Sequence, residues 1–224
     1  MQRTGRVAVL ALALGLLGAA GAAQAQGAAG TVNQARGQVV AATADGQFRA
    51  LAQGSTVHSG DTINTGPGSY VKVGFSDGSS VYLRPGTRFR VDEFADGGEK
   101  EKEKDRSFFS LLKGGLRYVT GLIGRRNRDA FRLSSPVATI GIRGTDFVAR
   151  LCLGDCLGPD GLYTQTNEGV ILVSGGGAEI TSPAGQFSYV CPGCVPEPIQ
   201  AQPAEFQIET YPGGDTQEEP ECPG

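Results

Sequence analysis

One histidine, five cysteines and scattered carboxylates are the groups of this chain that chemistry could use. His58 stands alone, which excludes a Ser-His-Asp triad and most histidine-based metal sites. It lies between Val57 and Ser59, just before a turn, which is a surface position. No two carboxylates have a spacing that implies convergence. Cys191-Pro192-Gly193-Cys194 has the C-x-x-C form of redox and zinc sites. A redox pair of this kind needs a helix N-terminus to lower one thiol pKa. Pro196 and Pro198 follow at once and forbid a regular helix there. Cys152 and Cys156 could join Cys191 and Cys194 in a four-thiolate zinc site. In an exported chain the same four thiols are expected to form disulfides instead, in one of three pairings. The fifth, Cys222, is left over. These residues predict no catalytic group, no cofactor and no metal, hence a protein that is not an enzyme. A zinc or redox protein is the alternative.

Export is read from the first residues. Residues 1–6 are short and basic, residues 7–20 are an uncharged apolar run, and Ala23-Gln24-Ala25 is a small-x-small site. That order is a secretory signal peptide with cleavage after Ala25. The apolar run falls short of the roughly 20 residues that a spanning helix needs. The expected location is periplasmic or secreted. Losing Arg3 and Arg6 moves the net charge from -3 to -5. A mildly acidic chain with spread charges lacks the footprint of a nucleic-acid binder.

Elements that could position a site are read from residue 36 onward, with residues 26–35 as a flexible N-terminus. Gly is abundant at 35 residues, so turns are many. Asp45-Gly46 and Asp77-Gly78 are hairpin signals, because tight hairpin turns demand positive φ. Around the second, Val71, Val73 and Phe75 share one face, while Tyr70 and Lys72 share the other. Val81 and Leu83 then face inward, and Phe89 and Val91 continue the alternation. This is the pattern of half-buried antiparallel sheet. Residues 99–106 alternate acid and base and read as a solvated loop or a frayed helical turn, open to substitution. Residues 107–128 mix apolar and basic side chains. They read as strands near 107–112 and 115–120 followed by a tight glycine turn, since four glycines oppose a helix. An interfacial membrane helix over 107–128 is the alternative. Strands follow over 131–133, 137–151, 161–165, 169–173, 178–181 and 186–190. Residues 191–224 are rich in Pro and Glu, and a disordered tail is expected there.

Three stretches share a family likeness. The first is Gly60-Asp61-Thr62-Ile63-Asn64-Thr65-Gly66, leading to Phe75-Ser76-Asp77-Gly78-Ser79. The second is Gly114-Gly115-Leu116-Arg117 with Thr120-Gly121-Leu122-Ile123-Gly124. The third is Ser135-Pro136-Val137-Ala138-Thr139-Ile140-Gly141-Ile142-Arg143-Gly144-Thr145-Asp146-Phe147. Together they resemble the FecR domain, over roughly residues 36–190. The resemblance implies an all-β envelope module, a twisted and partly solenoid-like stack of short strands. Name-giving members relay an outer-membrane signal to a cytoplasmic sigma factor. This sequence departs from them in lacking the cytoplasmic segment and transmembrane helix, with a signal peptide in their place.

Within the third motif, the Arg143 fork fits a carboxylate on a ligand. A structural role is the other reading, in which Arg143 is buried and paired with an internal acid or with strand-end carbonyls. Gly144 breaks a β-branched run, so a bulge or positive φ is expected, and substitution there should be costly. The partner expected for such a module is an envelope protein or glycan.

Overall fold

The computed structural model describes residues 27–201, together with Pro203 and Phe206. The chain is all-β. Its first eight strands are β1 (Ala28–Arg36), β2 (Val39–Ala42), β3 (Phe48–Ala50), β4 (Thr56–His58), β5 (Thr62–Thr65), β6 (Tyr70–Phe75), β7 (Ser80–Leu83) and β8 (Arg88–Ala95). After a 3-10 turn come β9 (Arg106–Val119), the one-turn helix α1 (Leu122–Arg126) and β10 (Phe131–Ser134). Then follow β11 (Thr139–Cys152), β12 (Gly161–Gly175), β13 (Ala178–Pro183), β14 (Phe187–Val190) and β15 (Glu197–Ile199).

All fifteen strands join one mixed sheet, and three long strands explain how it closes on a core. The first half of β9 pairs with β8 and with β10, the latter in parallel. Its second half pairs with β7 and β11. β12 likewise pairs with β14 through residues 162–165 and with β13 through residues 170–175. Each long strand therefore serves two neighbourhoods of the sheet, and each bends at a glycine of positive φ: Gly114, Gly144 and Gly169. The bend turns one neighbourhood over the other, and their inward side chains meet. Phe109 on β9 packs against Phe75 of β6 at 5.1 Å between ring centroids and against Phe89 of β8 at 5.3 Å. Tyr118, farther along the same strand, meets Phe131 at 4.9 Å. Such ring pairs add about 0.5–1.5 kcal/mol each beyond the area they bury.

The alternation read in the sequence sets this core. In β6, Val71, Val73 and Phe75 are buried while Tyr70, Lys72 and Gly74 are only half-buried. Lys72 covers the Tyr82 ring at 4.6 Å, so Tyr82 is buried although it lies on the face opposite Val81.

Several expectations are corrected. Residues 26–35 were expected to be flexible, yet β1 lies between β4 and β6, hydrogen-bonded to both, with Ala29 and Val32 in the core. Its apolar residues are too small and too few to announce a strand; backbone pairing on both edges holds it. The strands expected near 107–112 and 115–120 are one strand, Arg106–Val119, because the positive φ of Gly114 does not end the ladder. The glycine turn after it is the helix α1. Phe109, Leu111 and Leu116 point into the core from β9, so the interfacial helix over 107–128 is replaced by sheet. Residues 161–175 are likewise one strand. Part of the expected tail is ordered: β15 pairs with β14, which extends the sheet past residue 190. β4 and β5 were not foreseen. The signal peptide and Cys222 lie outside the described residues.

Candidate functional site

The motifs converge on one another before they converge on any ligand. Asp77, buried in its hairpin turn, accepts hydrogen bonds from the Ser79 amide at 2.9 Å and hydroxyl at 2.6 Å. It also accepts the Ile123 amide at 3.2 Å, and its own carbonyl takes the Leu122 amide at 2.8 Å. The first turn of α1 is thus seated on the Asp77-Gly78-Ser79 hairpin. A side chain at Gly121 would collide with the Ser79 backbone, so only glycine allows that approach. Nearby, burial and then the Asp77 carboxylate push the Tyr118 hydroxyl well above the usual phenol range.

The third motif is held in the same manner. Thr120 Oγ1 accepts the Thr145 amide at 3.1 Å. Asp146 takes a bidentate pair from Arg117 at 2.9 and 2.6 Å, and Asn167 donates to it at 3.1 Å. Elsewhere Asp61 accepts the His58 amide at 2.9 Å and pairs with Arg49, and the His58 ring lies 3.7 Å from the same carboxylate. Asp105 is fully buried and receives Arg126 at 2.7 and 2.9 Å plus the Gly97 amide at 2.9 Å. Each buried carboxylate is capped by cations, amides or hydroxyls, the satisfied state that burial requires. The expectation that all of residues 99–106 is an open charge run is therefore wrong at Asp105. It is the one acid of that run turned inward.

The cysteines are joined locally. Cys152 bonds Cys156 across the end of β11, and Cys191 bonds Cys194 at the turn into β15, with Cα separations of 5.5 and 5.1 Å. Among the described residues no three His, Cys, Asp or Glu side chains gather as a metal would require. The first bridge presents Leu157, 84% exposed, at the tip of its loop. Peptide mapping without reductant should recover both linked pairs. Reduction should lower stability by about 2 kcal/mol per bridge, the loop-closure value for such short loops. Four free thiols in the purified protein would contradict this arrangement.

Arg143 is not buried. Ile140 and Ile142 point into the core, so Gly141 and Arg143 face outward, and Arg143 is exposed. A buried, internally paired Arg143 is thereby overturned. Gly144 has a φ of 61° in an irregular stretch of the β11–β12 ladder between Arg143 and Asp146. Arg143 lines an open cleft of about 320 Å³ on the outer face of β9–β13. Arg132 of β10 and Arg128 line it too, with Phe108, Gly141 and Leu172. The Arg132 guanidinium lies 4.4 Å over the Phe108 ring, its partner in the parallel register. Strand parity around Ile140 and Leu133 would have shown that Arg132 and Arg143 each face outward. The contribution of Arg128 could not be read in that way, because it lies in a turn.

Residues 61–169 match the FecR protein family. Over those residues the chain is FecR-like. The match ends at Gly169, beside the bend that carries Arg143, and it contains the Asp77 hairpin, α1 and the third motif. No curated protein is significantly similar to the chain. In fold it is similar to two crystal structures of "a putative anti-sigma factor from Parabacteroides distasonis", at 15% and 16% identity and TM-scores of 0.46 and 0.47. Those likenesses cover 62% of this chain and 57% of that protein's length. A cell surface anchoring domain is similar at 28% identity and a TM-score of 0.30, covering 33% of this chain and 99% of that one. Among the described residues, no helix is long and apolar enough to cross a membrane.

Proposed function

We propose that this protein is an exported, non-enzymatic FecR-like module of the bacterial cell envelope that binds an envelope partner in sensing, signalling or scaffolding. One observation carries the reading. The buried carboxylates Asp61, Asp77, Asp105 and Asp146 are capped by structural partners, whereas the surface cleft holds three arginines that no carboxylate of the described residues binds. General acid–base catalysis needs a titratable group aimed at a substrate. Here those four acids are occupied inside the fold, and the arginine side chains at the surface suit recognition. The family match and the two local disulfides support an extracytoplasmic relay or scaffold role.

The full-length chain should be expressed in its own envelope, crosslinked there and purified. Its intact mass should begin at Gln26, and a discrete crosslinked species should appear. A mature form that retains residues 7–20, or hydrolytic or redox turnover that disappears in His58→Ala, would overturn the reading.

A further inference from the structure

We propose that the cleft formed by Arg128, Arg132 and Arg143 is the docking site for an acidic peptide segment of a protein partner, an inference that rests on the binding role just given. The floor of the cleft belongs to strands that are already paired on both sides: β10 between β9 and β11, and β11 between β10 and β12. Both are interior strands joined to each other through Leu133–Ser134 and Thr139–Ile140, so the cleft offers no sheet edge for strand addition and recognition falls to side chains. The guanidinium groups have no carboxylate partner among the described residues. Each offers a planar fork that matches a carboxylate in two hydrogen bonds. Arg132 is already oriented by its seat on Phe108, so binding orders little that is not ordered before.

The remaining lining decides between kinds of anion. Asp129 and Glu179 also line the cleft, so three cations face two acids. That near-balance disfavours a dense polyanion such as nucleic acid or polyphosphate. A sugar ring would seek an open aromatic face and acceptors for its hydroxyls. The Phe108 face is taken by Arg132, and Glu179 already accepts the Ser174 hydroxyl at 2.7 Å. What stays open is the guanidinium forks and an apolar notch. The notch exists because Gly141 has no side chain, and a Cβ there would meet only Leu172, at 3.7 Å. An apolar side chain flanked by carboxylates fills that shape, as in acidic motifs read by arginine clusters.

The test uses the mature protein and a blocked peptide, acetyl-Glu-Glu-Leu-Glu-Glu-amide, titrated at low salt and followed by amide NMR shifts. Saturable shifts should appear at residues 108, 132, 141–143 and 172. The glutamine version of the peptide should bind at least tenfold more weakly. Arg143→Gln and Arg132→Gln should each weaken the acidic peptide at least fivefold with unchanged melting temperature, since both side chains are exposed. Absence of saturation at millimolar peptide, equal affinity for the glutamine version, or tighter binding of oligogalacturonate would overturn the inference. A photo-crosslinker placed at position 143 or, on the far β3 edge, at position 48 separates the two readings in envelopes. Capture of a protein at position 48 alone defeats the cleft and leaves the binding role standing. Capture at neither position defeats both.

Discussion

Asp105→Ala is expected to lower the melting temperature by about 10 °C, while Glu103→Ala, two residues away in the same charged run, leaves it unchanged. Asp105 has no exposed surface, and its two oxygens accept both Arg126 nitrogens and the Gly97 amide. Removing the carboxylate strands a largely buried guanidinium and an amide. Breaking one side of such a pair typically costs about 3–5 kcal/mol. The lower end applies, because Arg126 keeps Asp96. Glu103 faces water and touches the fold only through its backbone carbonyl, which receives Arg106. The pair also ties α1, through Arg126, to the loop before β9, so its loss should loosen the helix seated on the Asp77 hairpin. Acid should reveal the same interaction. Hydrogen bonding from Arg126, opposed by burial and aided by the Gly97 amide, holds the Asp105 carboxyl below its ordinary range. A lowered folded-state pKa gives stability that is complete above the unfolded value near 4 and is lost as pH falls through the folded one. The gap between wild type and Asp105→Ala should therefore be full at neutral pH and shrink below about pH 4. A gap independent of pH, or equal melting of the two variants, would refute this account.

The contrast between Glu103 and Asp105 shows where the sequence stops being readable. Alternation is a local property, and where side chains of contrasting size alternate it is decisive. Val71, Val73 and Phe75 announce β6, and Ile140 and Ile142 fix the facing of Arg143. Asp105 sits in a run whose charges alternate regardless of fold. Its inward turn depends on Arg126, 21 residues later, reaching it through α1. β1 was missed for a related reason. Ala29, Gly30 and Val32 give little hydrophobic contrast, and the strand exists because β4 and β6 offer free edges on either side. The cleft was half legible. Parity around Leu133 and Ile140 is enough to turn Arg132 and Arg143 outward, against the buried reading of Arg143, but their meeting across the antiparallel β10–β11 pairing needs the topology.

Gly169→Ala is expected to cost more than about 3 kcal/mol, whereas Gly144→Asn should cost about 1 kcal/mol or less. The two glycines face each other where β11 and β12 bend, and both have positive φ, 72° and 61°. Their surroundings differ. A Cβ on Gly169 would lie 2.1 Å from the Gly144 carbonyl oxygen and 3.0 Å from that of Arg143, and backbone cannot swing aside as a flexible side chain does. Nothing lies within 4 Å of a Cβ on Gly144, so only the left-handed backbone penalises it, and asparagine tolerates that region. Sequence alone singles out Gly144 as the sensitive position; the structure transfers most of that sensitivity to its neighbour across the ladder. The consequence reaches the proposed site. Relieving the Gly169 clash must push away the backbone that carries Arg143, so the folded fraction of Gly169→Ala should bind the acidic peptide at least fivefold more weakly. Gly144→Asn should retain affinity within about twofold. Chemical denaturation of both variants, followed by peptide titration at a temperature where each is folded, provides the measurement. Equal stabilities would remove the packing argument, and full affinity in a destabilised Gly169→Ala would show that Arg143 does not depend on this bend.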